Sequence, residues 1–173
     1  MRTALLAQHD ESPHWRELLA QRGPALLLLA RQWSATRADA EDALQEGFVC
    51  FWRSRSRARD EVAYLFACVR TAAMEIGRGQ RRREARDRAS ARMEASAFET
   101  PPMEQAERHV AIESALGQLP GDQREVVVMK IWGELTFAQI GEALNASPNT
   151  VASRYRYALI RLEAELSAEV RHD

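Results

Sequence analysis

The chain has 173 residues and a formal net charge of -1, enough length for one large or two small domains with modest cores. Its longest apolar run, residues 25–30, is far too short to span a membrane, and its polar N-terminus does not indicate a secretory signal, so we expect a cytoplasmic protein. Two cysteines in apolar helical patterns and four scattered histidines lack the spacing of metal ligands, so we expect no disulfide, no metal and no cofactor.

Charge is segregated along the chain. Residues 53–92 carry twelve Arg against five acidic residues, whereas residues 93–146 carry three basic against nine acidic residues. Attraction to phosphate acts through a local basic patch and is screened beyond roughly 10 Å, so this segregation matters more than the net charge. The basic segment is therefore a candidate nucleic-acid surface.

The first helical pattern runs from Leu18 to Trp33 and contains an apolar stripe. Gly23 and Pro24 interrupt it, which predicts a broken helix or two short helices. Asp39 is a good N-cap residue and is expected to begin the next helix.

The second helical pattern covers residues 39–52 and separates an apolar from an acidic side. The side expected to face inward consists of Ala40, Ala43, Leu44, Phe48, Phe51 and Trp52. The exposed turns carry Glu41, Asp42, Gln45 and Glu46. Such a surface is either solvated or docked on a basic partner helix.

Arginines dominate the segment after this helix. Arg53, Arg55, Arg57 and Arg59 alternate with small residues and predict an exposed basic loop. A helix is predicted over residues 61–77, with Arg70 and Thr71 off its apolar stripe. Gly77 and Gly79 are expected to fray or bend it before an arginine-rich segment that includes Arg78. That segment is either a solvated linker or, as we prefer, a contact with the nucleic-acid backbone.

Residues 89–103 contain few large apolar residues and two prolines, which predicts a flexible linker. A second helical unit is predicted from Glu104 and is interrupted at Pro120 and Gly121. Asp122 is expected to cap a short helix that Gly133 ends. The chain is therefore predicted to be all-α, with two small domains at residues 1–88 and 104–173.

The last two helices carry the most specific pattern. Thr136 is expected to start the first of them, and Asn145 to end it in a left-handed conformation. Ser147 is the predicted N-cap of the second helix and Pro148 its first residue. A roughly three-residue turn between short helices is the helix-turn-helix signature, whose second helix enters the DNA major groove.

The second of these helices has two predicted faces. Its inward positions are Val151, Ala158, Leu159 and Leu162. Its outward positions, whose amides, hydroxyls and guanidinium groups suit base edges and phosphates, are Asn149, Thr150, Ser153, Arg154, Arg156 and Tyr157. The alternative is a solvated polar face in an ordinary helical hairpin.

Two blocks together resemble one family. DAEDALQEGFVCFW with YLFACVRTAAMEIGRGQRRR resembles region 2 of sigma-70 family RNA polymerase sigma factors of the extracytoplasmic function (ECF) group. LGQLPGDQREVVVMKIWGELTFAQIGEALNASPNTVASRYRYALIRL resembles region 4 of the same group. The resemblance covers residues 15–88 and 105–166. It implies a promoter-specificity subunit without catalysis of its own.

The resemblance also implies roles for residues. Binding to a coiled coil of the largest polymerase subunit would fall to Asp42, Gln45 and Glu46, with Asp39 and Glu41 nearby. Contact with the melted minus-10 element would fall to Arg53, Arg55, Arg57, Arg59, Arg70, Thr71 and Arg78. At the minus-35 duplex, bases or adjacent phosphates would meet Ser153, Arg156 and Tyr157, with the backbone near Asn149, Thr150 and Arg154.

Region 4 in the family also binds the flap of the second-largest polymerase subunit, and many members are held inactive by an anti-sigma protein. Ala152 departs from the family, because relatives often have Lys or Arg just before the serine. The promoter sequence of relatives therefore does not carry over.

Two other classes of function compete with this interpretation. A self-sufficient regulator would use only the helix-turn-helix, with an N-terminal sensor or dimerisation domain, and would have no use for the acidic helix. An enzyme is disfavoured because the sequence has no glycine-rich phosphate loop after a strand, no nucleophile elbow and no metal cluster.

Overall fold

The structure is a computed structural model that describes the backbone of residues 13–87 and 114–169. The first range, here the N-terminal module, contains α1 (Pro13–Arg31), α2 (Arg37–Ser54), a 3-10 turn (Arg55–Arg57) and α3 (Glu61–Asp87). The second, the C-terminal module, contains a helical turn at residues 114–117, α4 (Gly121–Ile131), α5 (Phe137–Leu144) and α6 (Pro148–Glu169). Neither range contains a β-strand, which confirms the predicted all-α class.

None of the helices in these two ranges has the length and apolarity needed to cross a membrane. The predicted linker, residues 89–103, and the predicted start of the second unit near Glu104 lie outside the described residues.

Helix α1 is continuous through Gly23 and Pro24, so the predicted break is wrong. Pro24 lacks the N–H that an interior helical residue donates, which normally disfavours a helix at this point. Leu26, Leu29 and Ala30 in the following turns are completely buried. Burial of this apolar face outweighs the local cost, as tertiary packing often does.

The N-cap of α2 is Thr36, three residues before the predicted cap. Asp39 occupies the third helical position, where its carboxylate accepts from the backbone N–H of Thr36 at 3.0 Å. The Thr36 hydroxyl in turn accepts from the backbone N–H of Asp39 at 3.1 Å. This reciprocal capping box satisfies two N–H groups that the helix itself leaves unpaired. At the other end, α2 continues through Arg53 and the predicted basic loop begins as a 3-10 turn.

Helix α3 does not fray or bend at Gly77 and Gly79, and it continues to Asp87, contrary to prediction. Gly77 is instead a point of close approach. A Cβ atom at this position would lie 2.2 Å from the carbonyl oxygen of Trp33. Gly47 plays a similar part on α2, where a Cβ would lie 2.6 Å from Cα of Val69 on α3. Backbone approaches this close exclude any side chain larger than hydrogen.

Helix α4 begins after Pro120 without a side-chain cap, so Asp122 is a first-turn residue and not the predicted cap. The helix ends at Ile131, two residues before Gly133. The predicted start and end of α5 and the predicted start of α6 are confirmed, while α6 continues to Glu169, beyond the predicted pattern, which ends near Arg161. Thr136 caps α5 through a capping box with Gln139, and Asn145 ends it with a left-handed φ of 51°.

Buried apolar residues form one continuous core that includes both modules. The largest completely buried side chains include Phe51 and Phe66 of the N-terminal module and Met129 and Ile140 of the C-terminal module. Two residues predicted to face inward are exposed instead, Trp52 by 44% and Leu159 by 41%, so the prediction is wrong for them. Helix α3 packs on α5 and α1 packs on α4, so the two modules contact each other directly.

Candidate functional site

The acidic side of α2 is exposed, as predicted. Its open residues are Glu41, Asp42, Gln45 and Glu46. Glu41 accepts from Arg37 Nε at 2.8 Å, but both side chains are largely exposed, and a pair of this kind contributes little to stability. The opposite side of the helix is anchored by Ala40, Ala43 and Phe51 in the core. The charged surface is therefore presented by a firmly packed helix.

Asp39, at the edge of this surface, has a structural task. Partial burial acts to raise the pKa of its carboxyl. Hydrogen bonds from the Thr36 and Gln80 side chains and from the Thr36 backbone, with the charge of Arg83, outweigh that effect and lower the pKa below its ordinary value of 3.8. Asp39 thus ties the start of α2 to the C-terminal half of α3.

Most of the arginines predicted to meet nucleic acid are on the surface. Arg53, Arg57, Arg59 and Arg78 are exposed. Arg55 is half-buried, with its guanidinium carbon 3.9 Å from the ring centroid of Trp52. This stacking orients one cation beside an aromatic side chain that is itself exposed, a combination that suits unpaired bases.

Thr71 and Arg70 are adjacent on α3 but differ in their surroundings. Thr71 is exposed, and its hydroxyl donates to the carbonyl of Ala67 at 2.8 Å. Arg70 is directed to the C-terminal module, where its Nε donates to Glu125 Oε1 at 2.6 Å. The indole Nε1 of Trp33 donates to the same oxygen at 2.8 Å. Arg70 is therefore directed away from the solvent that surrounds the exposed arginines.

Glu125 is a residue that sequence reasoning missed. It lies on α4 among buried valines and Met129, and only 3% of its surface is exposed. A carboxylate within an otherwise apolar helix is the signal that could have identified it, because a buried charge requires a partner. Its two partners lie far away in sequence, so the pattern alone does not name them.

The predicted reading face of α6 is open. Its exposed residues are Asn149, Thr150, Ser153, Arg156 and Tyr157. Arg154 is half-buried and pairs with Asp122 of α4, Nε to Oδ2 at 3.1 Å. The guanidinium carbon of Arg156 lies 5.3 Å from the ring centroid of Tyr157. The face therefore offers amide, hydroxyl, phenol and guanidinium groups together, which is the chemistry of DNA recognition.

The turn before α6 fixes the direction of this face. Ser147 Oγ accepts from the backbone N–H of Thr150 at 3.1 Å, which confirms it as the N-cap. A Cβ at Gly141 would lie 2.6 Å from the carbonyl oxygen of Ala146, so the turn packs directly on α5. Phe137 and Tyr155 pack with ring centroids 5.7 Å apart, which joins α5 to α6. Val151 and Ala158 complete the junction as buried residues.

The cysteines are both free, Cys50 exposed and Cys68 buried. Burial, with neighbouring Cys50, raises the pKa of the Cys68 thiol to about 12, which keeps it protonated and unreactive. Among the side chains that the structure describes, no three His, Cys, Asp or Glu are grouped as metal ligands.

Comparison with known proteins gives two family matches. Residues 18–84 match the family described as Sigma-70 region 2, and residues 109–162 match Sigma-70, region 4. The RNA polymerase sigma-E factor of Streptomyces avermitilis is 28% identical over 163 residues, which is 92% of this chain and 89% of that protein.

Two solved structures have a similar fold. One is the sigma factor RpoE in complex with the anti-sigma factor NepR from Bartonella quintana, with a TM-score of 0.67 and 22% identity over 90% of this chain and 98% of that chain. The other is CnrH in complex with the cytosolic domain of CnrY, with a TM-score of 0.60 and 25% identity over 89% of this chain and 88% of that chain.

Proposed function

Because the chain belongs to the sigma-70 family and is an RNA polymerase sigma factor of the ECF type, we propose that three surfaces divide promoter recognition among them. The observation that carries the proposal is their presence on one chain: an exposed acidic helix, an arginine-rich surface beside it, and a helix-turn-helix with an open polar face. We assign region 2 to residues 1–88 and region 4 to residues 104–173, joined by a linker at residues 89–103. The chain supplies specificity, and polymerase supplies the catalysis.

The acidic side of α2 is proposed to bind a coiled coil of the largest polymerase subunit. Its central residues are Asp42, Gln45 and Glu46, all exposed, with Glu41 and Asp39 at the edge. Complementary charge accelerates encounter and selects the partner. The capping box between Thr36 and Asp39 supports this role, because it holds the first turn of the helix in one conformation.

The arginines around the 3-10 turn are proposed to meet the melted minus-10 strand. Exposed guanidinium groups at Arg53, Arg57, Arg59 and Arg78 provide charge for its phosphates. Arg55 and Trp52 provide a stacking surface for an unpaired base. Thr71 extends the surface along α3, and Arg70 extends it further once its ion pair with Glu125 is broken.

Helix α6 is proposed to read the minus-35 duplex. We assign contact with bases or adjacent phosphates to Ser153, Arg156 and Tyr157, because all three are exposed on this helix. The positions proposed to contact the backbone are Asn149, Thr150 and Arg154. The opposite side of the same module is proposed to bind the flap of the second-largest subunit.

A self-sufficient helix-turn-helix regulator is the rival function, and the comparisons do not favour it. Such a regulator needs neither a region 2 module nor an exposed acidic helix. Charge reversal on α2 separates the two functions, because it would impair a sigma factor and leave a self-sufficient regulator bound to its DNA.

We also propose a cytoplasmic anti-sigma partner. Both similar solved structures contain a second protein, the anti-sigma factor NepR in one and the cytosolic domain of CnrY in the other. The site of action would be the cytoplasm, where polymerase works. A pull-down from cells that recovered core polymerase and no other stoichiometric protein would count against this partner.

Run-off transcription tests the proposed function directly. Purified core polymerase would be incubated with genomic fragments with and without the protein. We expect new start sites only in its presence, sharing sequence elements at two fixed upstream distances. Transcripts identical in the two reactions would refute the function.

A further inference from the structure

The contact between the two modules is centred on one carboxylate. Oε1 of Glu125 on α4 accepts two hydrogen bonds, one from Nε of Arg70 on α3 at 2.6 Å and one from the indole Nε1 of Trp33 at 2.8 Å. Trp33 follows α1, and its ring also lies beside Gly121 at the start of α4. Two elements of the N-terminal module therefore meet at a single residue of the C-terminal module.

Burial makes this contact specific. The side chain of Glu125 is 3% exposed and that of Arg70 is 25% exposed. A carboxylate in such a site is stable only while its partners are present, because an unpaired buried charge is strongly disfavoured. The residues that follow Glu125 on α4 are buried and apolar, including Val126, Val128 and Met129. If the modules separate, both charges must regain water.

Polar contacts at the edge support the same arrangement. Arg22 of α1 donates to the carbonyl of Gly133 at 2.6 Å and to the carboxylate of Glu134 at 2.8 Å. Glu134 has a φ of 52°. This left-handed conformation raises the conformational energy of any residue other than glycine. Gln139 of α5 donates to Asp60, just before α3, at 2.9 Å. The strained turn between α4 and α5 is thus fitted against the N-terminal module.

The contact affects the proposed surfaces unequally. It leaves the acidic side of α2 exposed, and the reading face of α6 is open as well. Arg70, one of the proposed nucleic-acid contacts, is instead paired across the modules. A carboxylate and a phosphate compete for a guanidinium group, since both accept the same N–H donors. While its Nε donates to Glu125 and three-quarters of its side chain is buried, Arg70 is not presented to the melted strand with the exposed arginines.

We propose that in the free chain the C-terminal module docks on the N-terminal module. In this docked state Glu125 binds the guanidinium group of Arg70 and so withholds Arg70 from single-stranded DNA. The docking itself is independent of the chain's function, whereas the withholding of Arg70 rests on the function proposed above. When the two modules separate, Arg70 exchanges the carboxylate of Glu125 for a phosphate of the DNA strand.

Pulsed electron paramagnetic resonance on the full-length chain tests the docking. Spin labels carried by non-canonical amino acids at Glu75 and Glu142, both exposed, leave Cys50 and Cys68 in place. We expect a short, narrow distance distribution in the parent chain and a longer, broader one in Glu125→Gln and Glu125→Arg. Adding Arg70→Glu to Glu125→Arg should restore the short distance.

The matched control is Asp122→Asn, which removes an ion pair within the C-terminal module, to Arg154, and should leave the distance unchanged. Circular dichroism shows whether each variant is folded. If Glu125→Arg unfolds, the distance distribution of Glu125→Gln alone is compared with that of the parent chain. A long, broad distribution in the parent chain would overturn the docking. A short, narrow distribution retained in folded Glu125→Gln and Glu125→Arg would overturn the part that Glu125 plays in it.

Binding of mixed-sequence single-stranded DNA, measured by fluorescence anisotropy, tests the withholding of Arg70. If about nine molecules in ten are closed, Glu125→Gln raises the apparent affinity about tenfold. Adding Arg70→Ala to that variant should cancel the gain. A longer distance in Glu125→Gln with unchanged DNA affinity would contradict the role of Arg70 and leave the docking intact.

Discussion

The helix ends of the helix-turn-helix are fixed by hydrogen bonds between residues close in sequence, whereas the N-terminal module depends on close backbone approaches between distant positions. Thr136 pairs with Gln139, and Ser147 caps at Thr150, each pair three residues apart. Gly77 must instead fit against Trp33, and Gly47 against Val69. Each local hydrogen bond can be lost with a limited effect on stability, while a close backbone approach tolerates almost no change.

The largest effect is expected where the close approach of α3 to the turn after α1 is blocked. Gly77→Ala places a methyl group 2.2 Å from a backbone oxygen, a contact that no side-chain movement can relieve. We expect the free energy of unfolding to fall by about 3 kcal/mol, the upper part of the range for overpacked cores. Urea denaturation measures it.

Gly79→Ala is the matched control, since a Cβ there has no neighbour within 4 Å. It should stabilise α3 by about 0.5–1 kcal/mol. Equal stabilisation by both alanines would show that Gly77 does not lie tightly against Trp33.

A change on the open face of α6 should spare stability and affect binding alone. Arg156→Ala should weaken selection of the upstream promoter element by about 1 to 3 kcal/mol if the guanidinium makes a bidentate base contact. The unfolding midpoint should not change. Arg161→Ala, exposed on the same helix, removes the same charge and should leave promoter preference as it was. Unchanged preference in Arg156→Ala would exclude the assignment.

A lost cap in the helix-turn-helix should have a smaller effect on stability than the methyl group at Gly77. Thr136→Ala removes the acceptor for the backbone N–H of Gln139, now at 3.2 Å. We expect a loss of about 1 kcal/mol in the free energy of unfolding. Thr136→Ser retains the hydroxyl and should behave like the parent chain. A loss in Thr136→Ala equal to that of Gly77→Ala would remove the distinction between the two modules.

The smallest effect depends on pH. The folded-state pKa of Asp39 is lowered, so its contribution to stability is present above the ordinary value of 3.8 and is lost as the pH falls below that value. Asp39→Asn should therefore reduce stability at neutral pH, and the difference from the parent chain should shrink in acid. The Thr36→Ala background, which lacks the side-chain donor, should weaken this pH dependence. A difference that stayed constant with pH would contradict the shift.

The two modules also differ in what their sequence reveals. Thr136, Asn145, Ser147 and Pro148 act within their own turn, so each role could be predicted from neighbouring residue types. The continuity of α1 through Pro24 could not, because it depends on burial in the core.

The same limit applies to the candidate site. The exposed faces of α2 and α6 follow from helical periodicity, and both were predicted. The pairing of Arg70 with Glu125 depends on how two modules meet, and no local pattern specifies that. Trp52 was wrongly placed inside for a related reason, since its ring stacks with Arg55 on the surface.

The proposed function depends above all on the negative charge that this chain presents to RNA polymerase. Its affinity for core polymerase at low salt measures that dependence when compared with the affinity of a variant carrying Asp42→Lys, Gln45→Lys and Glu46→Lys. We predict tight binding by the parent chain and a loss of about 100-fold or more in the variant, since like charges across an interface cost several kcal/mol. Glu75→Lys, exposed on α3, should bind as the parent does. No association of the parent chain with core polymerase, or equal binding by the triple variant, would contradict the proposed function.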